Sequence, residues 1–226
     1  MYHRAPEPSL LDADDLTLEV EGVSARLWMC AAPGRVPEGA APGGQLEADL
    51  AWLRAQGVEV LVTLLQEHEI ARLGDLGGRS AAAGLEWRPL PIPDGMIPLD
   101  AFDYGREALH LARRLKTGGS VAIHCWLGLG RTGTLAAAVL QALGLGPQEA
   151  LTAVRKARLG TVANALQEAF LVQMPEVLSE VQTAKAKLRN EVAGPKPLEA
   201  MDLTELRHEL YEARRLLAEL TGRMRR

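Results

Sequence analysis

Short apolar runs of strand length alternate along the chain with segments whose apolar residues recur at helical spacing. The runs predict strands over residues 16–20, 25–30, 58–65, 85–88 and 120–124. The helical spacing predicts helices over residues 45–56, 67–73, 99–116, 132–143, 147–156 and 164–187. Strands that alternate with helices indicate an α/β fold with a central, mostly parallel sheet flanked by helices.

The composition of the chain changes after the segment Gly-Pro-Lys-Pro at residues 194–197. Leucines then fall on one helical stripe in a charged background, at Leu203, Leu206, Leu210, Leu217 and Leu220. We expect an acidic lead-in over residues 1–15, one domain over 16–187, and a linker with an amphipathic C-terminal helix over 188–226. That helix either packs on the domain or forms a short coiled-coil homodimer.

Composition limits the possible partners of the chain. It has 226 residues, 47% of them apolar, and a net charge of −4, which suits a soluble globular protein that binds neither nucleic acid nor an anionic membrane. No apolar run is long enough to span a bilayer, and the polar start is not a secretory signal. The two cysteines predict neither a disulfide framework nor a metal site, so we expect a reducing cytoplasm. The Ala-, Leu- and Gly-rich composition suggests a bacterial source.

One segment combines several residues that favour binding of a tetrahedral anion. After the predicted strand 120–124, His124-Cys125 is followed by five residues, Arg131, Thr132 and a long apolar helix. Backbone N–H groups between a strand and a helix N-terminus form a natural oxyanion site, and the guanidinium of Arg131 can bind two phosphate oxygens. The expected phosphate-binding residues are Trp126, Leu127, Gly128, Leu129, Gly130 and Arg131.

Cys125 is the expected nucleophile of this segment. The helix dipole and the guanidinium favour its thiolate, which is the form that attacks phosphorus. Thr132 can donate its hydroxyl to that thiolate, and His124 is expected to order the loop from a buried position. Glycines at 128 and 130 allow the chain to curl tightly. A buried, inert thiol at Cys125 would leave the His, Gly and Arg at these offsets unexplained.

The sequence HCWLGLGRTG resembles the signature of the protein tyrosine and dual-specificity phosphatase superfamily, which is His-Cys, five residues, Arg, then Ser or Thr. The resemblance extends to LWMCAAPGR, QGVEVLVTLL and PIPDG, and covers residues 16–174. These segments resemble the branch that contains the cyclin-dependent-kinase-associated phosphatase and its bacterial relatives. The resemblance implies a phosphatase that needs no cofactor.

A general acid is needed because a phosphate ester leaves poorly without protonation of its bridging oxygen. In the resembled superfamily this acid is an Asp on a loop upstream of the cysteine, and Asp94 lies 31 residues before Cys125, in PIPDG. A turn-forming role for Asp94 is the alternative. Asp100 and Asp103 are rival carboxylates, although Asp100 suits a helix N-terminus better.

The segment that starts at Thr161 resembles the superfamily's water-positioning segment. Gln167 would then orient the hydrolytic water, and Asn164 would help to set the turn. Arg158 is a candidate for the arginine that usually precedes this segment, but the proline commonly found there is missing.

Two further residues have open roles. Arg35 either reaches the surroundings of the substrate or is a solvated loop charge. Cys30 is most simply a core residue, with a disulfide that protects an oxidised Cys125 as the alternative.

The predicted function is hydrolysis of phosphotyrosine, with phosphoserine and phosphothreonine as further substrates, through a phosphocysteine intermediate. Trp126, Leu127 and Leu129 give the loop an apolar rim, which favours a phosphoprotein or a simple aryl phosphate. The alternatives are a phosphatase for a lipid, sugar or nucleotide ester, and a catalytically inactive phospho-binding module. Sulfur transfer is disfavoured by Arg131, Thr132 and the upstream acid.

Overall fold

The computed structural model describes residues 11–36 and 45–193, with side chains as far as Leu188. One compact unit ends at Val181, and a second begins at Gln182. The leucine stripe of residues 203–220 lies outside the described residues, so both alternatives for the C-terminal helix stay predictions. The predicted domain division at residues 187 and 188 stays a prediction.

Five strands form one sheet in the order β1-β2-β5-β3-β4. The strands are β1 (Ala13–Val20), β2 (Val23–Cys30), β3 (Val60–Thr63), β4 (Glu86–Pro89) and β5 (Ser120–His124). Only the β1–β2 pair is antiparallel, because a two-residue turn joins these strands; the other neighbours are parallel. The predicted α/β fold with a mostly parallel sheet is therefore confirmed.

Seven helices lie in the described part of the chain. They are α1 (Gln45–Ala55), α2 (Glu67–Ile70), α3 (Leu76–Ala82), α4 (Ala101–Lys116), α5 (Gly130–Ala142), α6 (Pro147–Ala157) and α7 (Ala165–Ala193). Apolar residues of α1 and α3 pack on one face of the sheet, around Leu61 and Ala122. Residues of α4 to α7 pack on the other face, around Val62 and Ile123. The central strand β5 is buried along its whole length, as expected for a parallel strand covered on both faces.

The structure differs from the predicted elements in two places that matter below. Strand β1 begins at Ala13 rather than at residue 16, so part of the predicted lead-in is sheet. Helix α3 occupies a segment predicted as a loop, since Gly77 and Gly78 disfavour helix. Asp75 caps this helix by accepting a hydrogen bond from Gly78 N at 2.9 Å. A Cβ on Gly77 would lie 2.8 Å from the ring of Trp87. Close packing of the helix against this ring therefore compensates for the low helix propensity of glycine.

Helix α4 begins two residues later than the pattern predicts. Asp100 is its N-cap, and its Oδ1 accepts a hydrogen bond from Asp103 N at 2.9 Å. Leu99, expected on the apolar face, is 95% exposed because it precedes the cap. No helix among the described residues is both long and apolar enough to cross a membrane.

Candidate active site

Cys125 follows directly after β5, at the carboxyl edge of the sheet, and α5 begins five residues later. Its side chain is buried, with 4% exposed. We call residues 125–131 the phosphate-binding loop, after the role that the sequence predicts for them. Because β5 lies between β2 and β3, the loop emerges in the middle of the sheet edge, where side chains from neighbouring strand ends converge.

Two glycines shape this loop for different reasons. Gly128 has a φ of 73°, and a Cβ there would meet the backbone of Cys30 at 2.3 Å. Gly130 has no such φ and is the first residue of α5. Its Cβ would lie 3.1 Å from the side-chain amide oxygen of Gln167. Gly128 is therefore needed for the curl of the loop, whereas Gly130 makes room for Gln167.

The backbone of the loop turns its carbonyls outward. The carbonyl of Trp126 accepts a hydrogen bond from Ala32 N at 3.2 Å, and those of Leu127 and Gly128 accept bonds from Arg158. Within the described part of the chain, no backbone N–H of residues 126–130 donates a hydrogen bond to the protein. The N–H groups are thus left for an anion, as in other loops that bind phosphate at a helix N-terminus.

Arg131 is the one basic residue of the loop and is 1% exposed. Its Nη1 donates to Glu69 Oε2 at 2.8 Å and to Ile92 O at 2.9 Å, and its Nη2 donates to Glu69 Oε1 at 2.9 Å. Its Nε has no partner among the described residues. Burial alone would lower the pKa of Arg131, but its hydrogen bonds to Glu69 and the nearby negative charges together outweigh burial and raise the pKa. The guanidinium stays charged, with one N–H direction unused.

Glu69 is a site residue that the sequence analysis missed. It lies on α2, directly after β3, and burial would raise its pKa. The hydrogen bonds from Arg131 and from Gln66 N outweigh burial and lower the pKa, so Glu69 remains ionised. A carboxylate just beyond the carboxyl end of the strand next to β5 was the available signal, but one of the two Glu residues in QEHE carries little weight alone.

Asp94 lies at the open side of the loop, with 84% of its side chain exposed. Its Oδ1 is 2.9 Å from Arg131 Nη2. Two backbone carbonyls after it are held by the start of α7: Asn164 Nδ2 donates to Gly95 O at 2.9 Å, and Gln167 Nε2 donates to Met96 O at 3.3 Å. We call residues 91–96 the acid loop. The structure therefore brings Asp94 and Arg131 together and fastens the acid loop beside them.

Gln167 is fully buried against Gly130. Its Oε1 accepts a hydrogen bond from Ala163 N at 3.0 Å, and its own N–H donates to Asn164 Oδ1 at 3.0 Å. Asn164 therefore caps the first turn of α7 as well as binding the acid loop. Val162, two residues before Asn164, has a φ of 57°, which is unusual for a β-branched residue. Such strain persists where packing over-determines the backbone, often near functional sites.

Three comparisons with known proteins agree with this geometry. A family model described as "Polymorphic toxin system, DSP-PTPase phosphatase" matches residues 39–144. The mouse (Mus musculus) dual specificity protein phosphatase CDC14B is 30% identical over 118 residues, which are 52% of this chain and 24% of CDC14B. The chain thus spans about a quarter of the length of that relative. The matched residues are similar to the cysteine-based dual-specificity phosphatases.

Solved structures of the superfamily share the fold. Kinase associated phosphatase, with its catalytic cysteine replaced by serine, has a TM-score of 0.66 and 23% identity over 77% of this chain and 98% of that one. Tk-PTP in its active form has a TM-score of 0.52 and 28% identity over 70% and 91% of the two chains. PTPMT1 has a TM-score of 0.55 and 22% identity over 71% and 94%.

His124 lies beneath the loop and is fully buried. Trp87 Nε1 donates to Thr63 Oγ1 at 2.8 Å, so the Thr63 hydroxyl is left to donate to His124 Nε2 at 2.7 Å. Nδ1 then carries the proton and donates to Cys125 O at 3.2 Å. Burial lowers the pKa of His124 to about 4. His124 is therefore neutral near pH 7 and holds the backbone of the nucleophile.

Thr132 and Cys30 are both fully buried. Thr132 Oγ1 has no hydrogen-bond partner among the described residues, so its predicted bond to the thiolate stays a prediction. Cys30 is a free thiol whose Sγ donates to Ile123 O at 3.8 Å, and burial raises its pKa. A raised pKa disfavours the thiolate that disulfide exchange requires. Core packing therefore accounts for Cys30 better than a redox role.

The remaining predicted residues lie around the rim of the site. The charge of Arg35 helps to lower the pKa of Asp12, and among the described residues the Arg35 side chain forms no hydrogen bond or ion pair with the loop. The ring of Trp126 packs under the exposed Arg72 guanidinium, 4.2 Å from its carbon. Leu127 is 49% exposed and Leu129 is half-buried. The described residues include no group of three or more potential metal ligands.

Proposed function

We propose that this chain hydrolyses phosphomonoesters through a phosphocysteine intermediate, with phosphotyrosine in proteins as the main substrate and phosphoserine and phosphothreonine as further ones. The observation that carries the proposal is the loop itself. A buried thiol, unpartnered backbone N–H groups and a charged arginine with a free Nε occupy one site at a helix N-terminus. A phosphoryl group with three equatorial oxygens suits that arrangement.

In the first step the Cys125 sulfur attacks phosphorus while the bond from phosphorus to the leaving oxygen breaks. Asp94, protonated at this stage, gives its proton to that oxygen. In the second step a water oxygen attacks phosphorus, the S–P bond breaks, and the Asp94 carboxylate takes the proton of the water. Gln167 orients the water, and Thr132 stabilises the departing thiolate. Arg131 and the loop amides bind the phosphoryl oxygens throughout.

The surroundings of the loop support a protein or aryl substrate. Large apolar side chains on the elements that border the loop are exposed: Met96, Leu127, Leu159 and Leu166. Such a surface suits a phosphorylated side chain with apolar neighbours better than a ligand with several phosphates. A reducing compartment such as the cytoplasm would preserve the thiol.

The deciding experiment is release of phosphate from para-nitrophenyl phosphate in the presence of EDTA. We expect turnover by the wild type and none by Cys125→Ser. Cys30→Ser is the matched control, because serine can still donate to Ile123 O, and it should keep most of the activity. An inactive wild type, or turnover by Cys125→Ser, would refute the mechanism. Tight phosphopeptide binding without turnover would instead support an inactive binding module.

A substrate panel separates the proposed substrates from the alternatives. Peptides with phosphotyrosine, phosphoserine and phosphothreonine are compared with sugar, nucleotide and lipid phosphates at matched concentrations. Lipid phosphates are included because the similar protein PTPMT1 has been solved in complex with PI(5)P. We expect the highest kcat/KM for the phosphotyrosine peptide. A higher value for any non-protein ester would replace the proposed substrate class.

A further inference from the structure

Two acidic residues at the start of the chain bind an arginine on the outer side of the phosphate-binding loop. Arg158 Nη1 donates to Asp12 Oδ1 at 2.9 Å and to Asp14 Oδ2 at 2.6 Å. Its Nη2 donates to Asp12 Oδ2 at 2.8 Å. Arg158 is 5% exposed, although the two carboxylates lie largely at the surface. Both acids belong to the segment expected to be a lead-in, outside the residues that the family model matches.

The other N–H groups of Arg158 bind the loop. Nε donates to Gly128 O at 2.9 Å, and Nη2 donates to Leu127 O at 3.1 Å. A guanidinium has five N–H donors, and these five bonds use all of them. Arg158 therefore has no donor left for a substrate, and three of its five bonds depend on Asp12 and Asp14.

The direction of these carbonyls decides where the loop N–H groups point. In a trans peptide the C=O and the following N–H point in opposite directions. Arg158 binds the carbonyls of Leu127 and Gly128, so the N–H groups of Gly128 and Leu129 face the opposite side of the loop. Neither N–H has a hydrogen-bond partner among the described residues. The position of Arg158 thus determines the direction of two candidate phosphate donors, the N–H groups of Gly128 and Leu129.

Asp12 and Asp14 keep Arg158 in that position. Burial would lower the pKa of Arg158, but its bonds to Asp12 and Asp14 raise it. Without the two carboxylates, a buried cation would lose its counter-charges and leave three N–H groups unsatisfied. Such a group tends to turn toward solvent, because an unpaired buried charge is costly. The loop carbonyls would then lose their donors.

We propose that Asp12 and Asp14 are positioning residues for phosphate binding: they hold Arg158 against the loop so that the N–H groups of Gly128 and Leu129 face the phosphoryl oxygens. The proposal rests on the proposed phosphatase function, since it assigns those N–H groups to the substrate. The start of β1 would then contribute to phosphate binding, in addition to forming the edge strand of the sheet.

The test compares Asp12→Ala/Asp14→Ala with Asp15→Ala. Asp15 is the matched control because it lies on the same strand as Asp14 and pairs with Arg26 at 3.2 Å. We measure kcat and KM for para-nitrophenyl phosphate, the inhibition constant of tungstate, and Tm. We expect KM and the inhibition constant to rise about tenfold in the double variant, as for a lost charge-assisted contact, and to stay unchanged in Asp15→Ala.

A purely structural role would give a different result. It would lower Tm and the active fraction, and therefore kcat, while KM and the tungstate inhibition constant stayed at wild-type values; that result would overturn the proposal. Arg158→Lys supplies a second reading, because lysine keeps the charge but cannot bind both carbonyls. It should raise the inhibition constant similarly, and adding Asp12→Ala/Asp14→Ala to it should have little further effect. Additive effects would contradict the proposed chain of contacts.

Failure of this proposal can be told apart from failure of the proposed function. Tungstate binding to the wild type and to each variant is also measured by calorimetry, which needs no turnover. A wild type that binds tungstate but hydrolyses nothing refutes the phosphatase function alone. Equal tungstate affinity in the wild type and the double variant refutes the positioning role alone.

Discussion

The phosphate-binding loop lies between two buried arginines that have similar partners and different expected roles. Arg131, on the inner side, contacts the carboxylates of Glu69 and Asp94. Arg158, on the outer side, contacts those of Asp12 and Asp14. Each also donates to two backbone carbonyls. Burial would lower the pKa of both arginines, but their contacts with carboxylates raise it.

The two arginines differ in how many of their contacts a bound anion could replace. Arg131 has an unpartnered Nε and one highly exposed partner, Asp94, so an anion can replace part of its contacts. All five N–H groups of Arg158 are used inside the protein, two of them on the loop. The comparison teaches that charge and burial alone do not identify a substrate-binding arginine. An N–H donor that is free to bind the substrate does identify one, and the first two of the four predictions below test this.

The largest effect is expected from replacing each arginine by lysine. Arg131→Lys should lower kcat/KM about 1,000-fold, because lysine cannot bind Glu69 and two phosphoryl oxygens at once. Arg158→Lys should cost about 10-fold, since it misaligns donors rather than removing one. Steady-state kinetics with para-nitrophenyl phosphate check this, alongside Tm for each variant. Equal losses would remove the distinction between the two arginines.

Replacing Asp94, the exposed carboxylate beside Arg131, should weaken catalysis and strengthen anion binding. We expect Asp94→Asn to lower kcat about 100-fold, through loss of the general acid. Tungstate should bind more tightly to this variant, because a neutral amide competes less well for Arg131. Asp100→Asn is the control, since Asp100 caps α4 and does not contact Arg131. Weaker tungstate binding in Asp94→Asn would show that the ion pair with Arg131 does not compete with an anion.

A smaller effect is expected from Asn164→Asp, which keeps the oxygen that caps α7 and loses the N–H donor to Gly95. The acid loop should then hold Asp94 less well. We expect kcat to fall about 10-fold with phenyl phosphate and much less with para-nitrophenyl phosphate, whose leaving group needs little protonation. Equal losses with both substrates would contradict a role in acid placement. Unchanged Tm would exclude loss of the cap as the cause.

The last prediction concerns stability rather than rate. The folded-state pKa of His124 is about 4 and its ordinary value is 6.5, so the unfolded chain binds more protons between these pH values. Stability should therefore fall by about 2 kcal/mol as the pH drops from 7.5 to 5. Urea unfolding of the wild type and His124→Gln checks this, with a flatter pH dependence expected in the variant. His110→Gln is a necessary companion, since burial also lowers the pKa of His110.

The sequence predicted the fold well because its signals are local. Apolar runs of strand length and helical periodicity survive in the linear order of residues, and the predicted parallel sheet is confirmed. The loop was recognisable for the same reason, since a strand end, a cysteine, two glycines and an arginine lie within one short stretch of sequence. Helix α3 was missed because close contact between Gly77 and Trp87 compensates for poor local propensity.

The candidate site was only partly predictable. The structure brings Asp94, Asn164 and Gln167 to the loop that contains Cys125 and Arg131, and their catalytic roles remain predictions. Glu69 was missed because a carboxylate on a short helix has no distinctive pattern. Asp12 and Asp14 were assigned to a lead-in because an acidic start resembles a solvated tail.

The sequence by itself determined the order of the described strands and helices apart from α3, and the position of the thiol at the end of β5. The tertiary structure decided which carboxylates pair with each buried arginine. Arg158 binds carboxylates that lie 146 and 144 residues away in the chain, and Arg131 binds one 62 residues away. Pairing of buried charges depends on distances in space, which no local pattern of residues encodes.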